Sequence, residues 1–247
     1  MAVSMMIDPA ASVYNLVRRT KEHSTVVNSL TTMQVVTSEI ENVILLDGVR
    51  ARVFAGFERM SSFLPQLERY RQLAQNAESV YIFATMDVEP PRVANVRFIP
   101  VKDNTPFTQE WFLVADSPDY FTALCAEEQT SPDVPRRNRM FEGVWSFDEE
   151  IVTILQEWLT HLVHAAPLTE SKKRRNYNRQ VSLMSRTMTR LVEQMVKPSP
   201  GGTLVKPREI HQVLWQQLMP AIQTASNHLP NVMDSAASVD RTPKTSV

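Results

Sequence analysis

The sequence predicts an α/β fold, a central mixed sheet of about four to five strands flanked by helices, with a helical C-terminal extension. Strand-like apolar runs alternate with helix-spaced apolar residues over about residues 30–165. Past Pro167 the pattern becomes purely helical, and the charge changes sign with it. Residues 1–168 hold 14 Lys+Arg against 22 Asp+Glu, a net of −8. Residues 169–247 hold 12 against 5, a net of +7, and together they give the overall −1.

Asp8-Pro9 has the form of an N-cap followed by proline at the first helical position, and Val13, Leu16 and Val17 begin an apolar stripe. A second helix is expected over about 32–45, where Met33, Val36, Ile40, Val43 and Ile44 recur at helical spacing before Asp47-Gly48 ends it. Arg52–Phe57 is strand-like, and Gly56 inside it suggests a bulge or a close backbone approach. Ser61 and Ser62 are candidate caps for a helix to about Asn76. Ser79–Ala84, Val96–Pro100, Glu110–Ala115 and Met140–Ser146 are the further strands. Ser117-Pro118 has the form of a helix start, with a helix expected to about Glu128. Ser146-Phe-Asp-Glu149 fits a capping box opening a helix to about His164, with Ile151, Leu155, Trp158 and Leu162 on its core face.

In the C-terminal third, Tyr177, Val181, Met184, Met188, Leu191 and Met195 are spaced as a heptad seam, which suits a dimer or partner interface or docking onto the domain. Lys172, Lys173, Arg174, Arg175, Arg179, Arg186 and Arg190 frame it as a basic patch. Pro198–Gly202 is a linker, Pro207 opens a last amphipathic helix, and the chain from Pro230 is expected to be disordered. The expected organisation is a helical segment at 1–30, an α/β domain at 31–165, a basic helical extension at 166–228 and a tail at 229–247.

Only 5 of 247 residues are glycine, against about 7% ordinarily. Their placement leaves no GxGxxG, GxxxxGK[ST] or GxSxG, so phosphate-cradle folds and nucleophile-elbow hydrolases are disfavoured. One cysteine allows no intrachain disulfide and no cysteine-based zinc site. With no signal-peptide pattern and no apolar run long enough to span a bilayer, a cytoplasmic location without a membrane span is the expectation.

Five phrases in order resemble one family: Arg52–Arg59, Tyr70–Ala74, Val80–Phe83, Glu110–Ser117 and Phe141–Asp148. Over about 33–165 they are similar to the DICT sensory domain, found in diguanylate cyclases and two-component systems, and the chain resembles a stand-alone member of cyanobacterial type. The resemblance implies a signal-relay role in a two-component, cyclic-di-GMP or light-response pathway, with output to a protein partner such as an effector, kinase or response regulator. It implies no catalytic residue set and no cofactor.

The residues themselves offer a few sites. Phe57, Tyr81, Phe83, Trp111, Phe112 and Trp145 lie on expected strands, as core or as pocket wall. Glu58, Asp87 and Asp116 fall at strand ends, where open α/β sheets place ligands. The candidate ligand pocket is therefore Phe57, Glu58, Tyr81, Asp87, Trp111, Asp116 and Trp145. Glu157, His161 and His164 share a helical face, but their order is not that of a zinc helix, and a solvated face is the expectation. Cys125 is expected to be a buried residue in the middle of a helix. The combined expectation is a non-enzymatic, homodimeric signalling protein without cofactor or metal. The alternative is a nucleic-acid-associated regulator using the basic helix 172–190.

Overall fold

A seven-stranded mixed sheet carries the molecule, in the order β1-β7-β6-β5-β2-β3-β4. The strands are β1 (Val26–Ser29), β2 (Arg52–Arg59), β3 (Ser79–Thr85), β4 (Val96–Pro100), β5 (Glu110–Asp116), β6 (Phe121–Glu128) and β7 (Met140–Ser146). β2 is the turning point: it pairs antiparallel with β5 on one side and parallel with β3 on the other. The helices are α1 (Val13–Thr20), α2 (Leu30–Leu46), α3 (Met60–Phe63), α4 (Leu67–Asn76), α5 (Pro106–Gln109), α6 (Glu149–Leu162), α7 (Tyr177–Val196), α8 (Pro207–Val213) and α9 (Met219–Ser226). A π-helical segment, Leu214–Leu218, joins the last two. This computed structural model describes residues 10–20, 25–131, 133–169, 174–196 and 207–229. Among them no helix is long and apolar enough to cross a membrane.

Strand alternation divides the core in two. Val53 and Ala55 of β2 face α2, α4 and the C-terminal helices. Phe54 faces the opposite way, toward α1, α5 and α6. α2 starts at Ser29, whose hydroxyl accepts from Thr32 N, and stops at Asp47 followed by Gly48 at φ 68°, a left-handed position that suits glycine. Gly56 fulfils both expectations placed on it. The β2–β3 register shifts between Gly56 and Arg59, and any Cβ at Gly56 would overlap the Phe112 ring.

Several expectations are corrected. The sheet has seven strands, not four to five. Residues 117–128 are not a helix: Phe121–Glu128 is the interior strand β6, paired with β5 and β7, and Cys125 sits on it, buried. β1 was not expected within the 1–30 segment, and it closes the sheet edge against β7. The N-cap of α6 is Asp148, accepting from Glu150 N and Ile151 N, while Ser146 accepts from Asp148 N, so the capping box does not form. Neither Ser61 nor Ser62 caps a helix, because α3 begins at Met60 and a 3-10 turn at Leu64–Gln66, containing Pro65, separates it from α4. The C-terminal helices share their core with α2 and the sheet. Asp8-Pro9, Lys172, Lys173, the linker Pro198–Gly202 and residues from 230 onward lie outside the described residues.

Candidate functional site

α2 buries Met33, Val36, Ile40, Val43 and Ile44 against the sheet, and its neighbouring positions Gln34, Thr37, Ser38 and Glu41 edge a cavity of about 370 Å³. That lies within the range of small-molecule pockets, about 300–1,000 Å³. Ala55 and Leu113 contribute from the sheet, and Phe57, Tyr70, Trp111 and Phe141 from around it. The aromatic walls hold one another edge-on. Phe57 meets Tyr70 at 5.8 Å between centroids, and Trp111 meets Phe141 at 5.6 Å. Trp111 Nε1 donates to Thr37 Oγ1 at 2.9 Å, which ties β5 to α2 across the cavity.

The charged groups around it are largely spent on one another. Arg69 bonds Glu41 and also donates to Ser38 O at 2.8 Å and Asn42 Oδ1 at 3.0 Å. Burial pushes the Glu41 carboxyl up against the pull of Arg69. Burial, with Glu41 beside it, also raises the Tyr70 phenol well above its ordinary range. Arg139 Nη1 donates to Glu58 at 3.1 Å and Glu128 at 3.3 Å, joining β2, β6 and the segment before β7. Glu110 turns to the other face, where it accepts from Ser12 Oγ and from Val13 N at 2.9 Å at the start of α1. Burial raises its carboxyl, with both hydrogen bonds opposing.

Of the seven expected pocket residues, Phe57, Glu58 and Trp111 come together here. The other four do not. Tyr81 lies across the sheet, stacked on Phe54 at 4.9 Å, in the same core as Phe83 and Phe112. Asp87 is exposed and accepts from Ser61 Oγ and Ser61 N, bonds that pull its carboxyl below the usual value. Asp116 is buried against Arg175. Trp145 donates to Thr122 Oγ1 at 2.9 Å and lines a separate groove beneath α9. Sequence reasoning missed Gln34, Thr37, Ser38, Arg136 and Arg139. Tyr70 and Phe141 already stood in the quoted phrases.

The C-terminal helices grip α2 at both ends. At its N-terminus, Glu209 of α8 accepts from Ser29 N at 2.9 Å and from the hydroxyls of Ser29 and Thr32 at 2.6 Å. Arg190 Nε donates to Glu39 in the middle of the helix at 2.6 Å, and its Nη1 to Asp47 at the C-terminal end at 3.1 Å. Arg186 adds a 2.9 Å bond to Asp47, and Arg179 donates to Asp47 O at 3.2 Å. Burial works against the Arg190 charge, yet Glu39 and Asp47 together hold it above its ordinary value. A carboxylate at the helix start and guanidinium groups at its end both complement the helix dipole.

Within the chain the seam packs onto the domain, one of the uses its spacing suits. Met184 and Leu191 are fully buried, and Tyr177, Val181 and Met188 pack partly buried beside them. The Met195 side chain lies outside the described residues. The basic patch turns inward as well. Arg175 is buried, pairs with Asp116 and Glu149, and sits 4.5 Å from the centre of the Phe121 ring. Among the described patch residues Arg174 is exposed, and Arg186 is exposed but bonded to Asp47. Tyr177 donates to Glu149; burial foremost, then that bond and the nearby charge, pushes its phenol up to about 12.

No group of three His, Cys, Asp or Glu suited to a metal forms among the described residues. His161 and His164 stand 6.3 Å apart, with His164 beyond the end of α6 at φ 46°. Cys125 is buried, which raises its thiol well above the ordinary value.

Fold and cavity together define a three-layer α/β domain built around a small-molecule-sized recess. Residues 10–129 match the model of the family described as DICT, the sensory domain in diguanylate cyclases and two-component systems. The match starts earlier than the resemblance over 33–165, taking in α1 and β1, and it ends before the Phe141–Asp148 phrase. No curated protein matches the chain. Among solved structures, the chain is similar to a polyphosphate kinase from Porphyromonas gingivalis at 12% identity and a TM-score of 0.34, over 72% of this chain and 31% of that one. The chain thus spans less than a third of that protein's length, and so distant a likeness carries no functional argument.

Proposed function

We propose that the chain is a non-enzymatic signal-relay protein in which occupancy of the α2 cavity changes how the C-terminal helices are held. One observation carries this: α2 is at once a wall of the cavity and the anchor of α7 and α8. Gln34, Thr37, Ser38 and Glu41 face the recess, while Ser29, Glu39 and Asp47 of the same helical unit hold Glu209 and Arg190. A helix moves as a rigid rod over this length, so a shift at Ser38 is felt at Glu39 and Asp47. Output passes to a protein partner, such as an effector, kinase or response regulator of a two-component, cyclic-di-GMP or light-response pathway. The DICT match supports the sensory part of this reading.

Hydrogen exchange tests the relay. Ser38→Trp places bulk in the recess. Exchange across 177–196 is expected to rise several-fold while β5 and β6 keep their protection. Unchanged exchange in α7, with the indole shown to occupy the cavity, overturns the relay.

A further inference from the structure

We infer that the cavity beside α2 takes a planar aromatic molecule bearing one anionic group, its rings among Phe57, Trp111 and Phe141 and its anion at Arg136. The inference deepens the sensory reading and rests on it for the consequence of binding, but not for the binding itself.

Size and lining set the ring system. About 370 Å³ suits a compact molecule of roughly two or three rings. The walls are aromatic on several sides, and ring pairs favour offset or edge-on contacts of the kind already present between Trp111 and Phe141. Because the Trp111 N–H is committed to Thr37, the indole offers ring surface rather than a donor. Gln34, Ser38 and Gln66 supply neutral polar groups at the edge for ring substituents.

Charge sets the sign. Each lining carboxylate is already engaged: Glu41 by Arg69, Glu58 and Glu128 by Arg139, and Glu110 by Ser12 and Val13 on the opposite face. Arg139 is consumed in the same pairing. Arg136 also lines the cavity, is exposed, and has no side-chain hydrogen bond or ion pair among the described residues. It stands in the short turn Arg136–Asn138, just ahead of Arg139, which is pinned to two strands. A guanidinium so placed offers a forked donor to a carboxylate, sulfonate or phosphate. A cationic ligand would meet Arg136 with no free carboxylate to receive it.

A matched pair of probes tests this: 8-anilinonaphthalene-1-sulfonate and N-phenyl-1-naphthylamine, which share rings and differ in the sulfonate. With the full chain, the sulfonate probe is expected to bind at one site about tenfold more tightly than the neutral one. Arg136→Gln should bring the sulfonate probe down to the neutral probe's affinity and leave the neutral probe unchanged. Ser38→Trp and, at the mouth, Gln34→Trp should remove both. Equal affinities, an Arg136→Gln variant indistinguishable from wild type, or failure of both probes to bind overturns the ligand class. Retention of both probes in the two tryptophan variants overturns the site. Hydrogen exchange on the saturated protein separates the two readings: tight, Arg136-dependent binding with unaltered α7 exchange leaves the ligand class standing and sinks the relay.

Discussion

Replacing Arg190 with methionine probes the clasp between α7 and α2 most directly. Methionine keeps much of the aliphatic stem while removing both charged hydrogen bonds, at 2.6 Å to Glu39 and 3.1 Å to Asp47. Glu39 is 1% exposed at its side chain and Asp47 6%, so neither carboxylate can turn to bulk water. Gln194 and Asn42 still donate to Glu39, and Arg186 still pairs with Asp47, so compensation is partial. Breaking a buried pair from one side costs about 3–5 kcal/mol. With Arg190 itself 21% exposed and those partners remaining, the cost falls to or below the bottom of that range, about 2–3 kcal/mol. For a chain of this size that is a fall in Tm of roughly 4–12 °C. Glu39→Gln combined with Arg190→Met removes the stranded charge and should recover at least half of the loss, since a buried pair replaced as a whole is close to neutral. Urea unfolding of the three proteins measures both effects. A loss below about 0.5 kcal/mol for Arg190→Met, or no recovery in the double variant, would show that the clasp does not hold α7 to α2.

Four further outcomes are expected. Tyr177 has a folded pKa raised from 10.0 to about 12, so its neutral form stabilises the native state below pH 10, and that contribution is lost as pH rises through about 12; the advantage of wild type over Tyr177→Phe in denaturant melts should shrink across this window, and a constant difference would contradict it. Gly56→Ala drives a Cβ into the Phe112 ring, and Gly143→Ala drives one into Ala126 and the Cys125 carbonyl, so melts should show losses of about 1–3 kcal/mol, larger at Gly143 where backbone is struck. Glu209→Gln weakens the bonds to Ser29 and Thr32 and should cost about 1–2 kcal/mol, with faster exchange at the first turn of α2 as the local readout. Cys125 should resist a thiol reagent in the native protein and react fully in denaturant; rapid native labelling would place it elsewhere than the buried β6 position.

Much of the architecture was legible because local signals and tertiary demands agree. The apolar spacing of α2, its end at Asp47-Gly48 and the bulge at Gly56 all follow from sequence periodicity and from the conformations glycine permits. β6 was illegible because Phe-Thr-Ala-Leu-Cys-Ala-Glu-Glu is composed largely of helix formers behind a Ser-Pro helix start. Pairing on both edges with β5 and β7 and burial of its first six residues override that preference. β1 is four residues long, too short to show a period. The cavity was half legible. Aromatic residues on strands are visible in a sequence, but Thr37, Ser38 and Arg136 become lining residues only once α2 and the segment before β7 are set beside β5.

The charge division is the feature whose meaning the structure alters most. A basic helix following an acidic domain admits three uses: nucleic acid, a second subunit, or the domain itself. Arg175, Arg179, Arg186 and Arg190 all bond groups of the same chain, and Asp116, Asp47 and Glu39, which pair with Arg175, Arg186 and Arg190, have side chains almost wholly withdrawn from water. Phosphates recruiting Arg175 or Arg190 would strand Asp116 or Glu39, at a cost of several kcal/mol for each pair broken. The heptad spacing serves the same packing, since Met184 and Leu191 lie in the core shared with α2 and the sheet. What the clasp offers instead is a docked helix whose release is opposed by a few identifiable ion pairs at the ends of α2. In the proposed relay, a ligand in the neighbouring cavity needs only to make those pairs less favourable to shift α7 toward release.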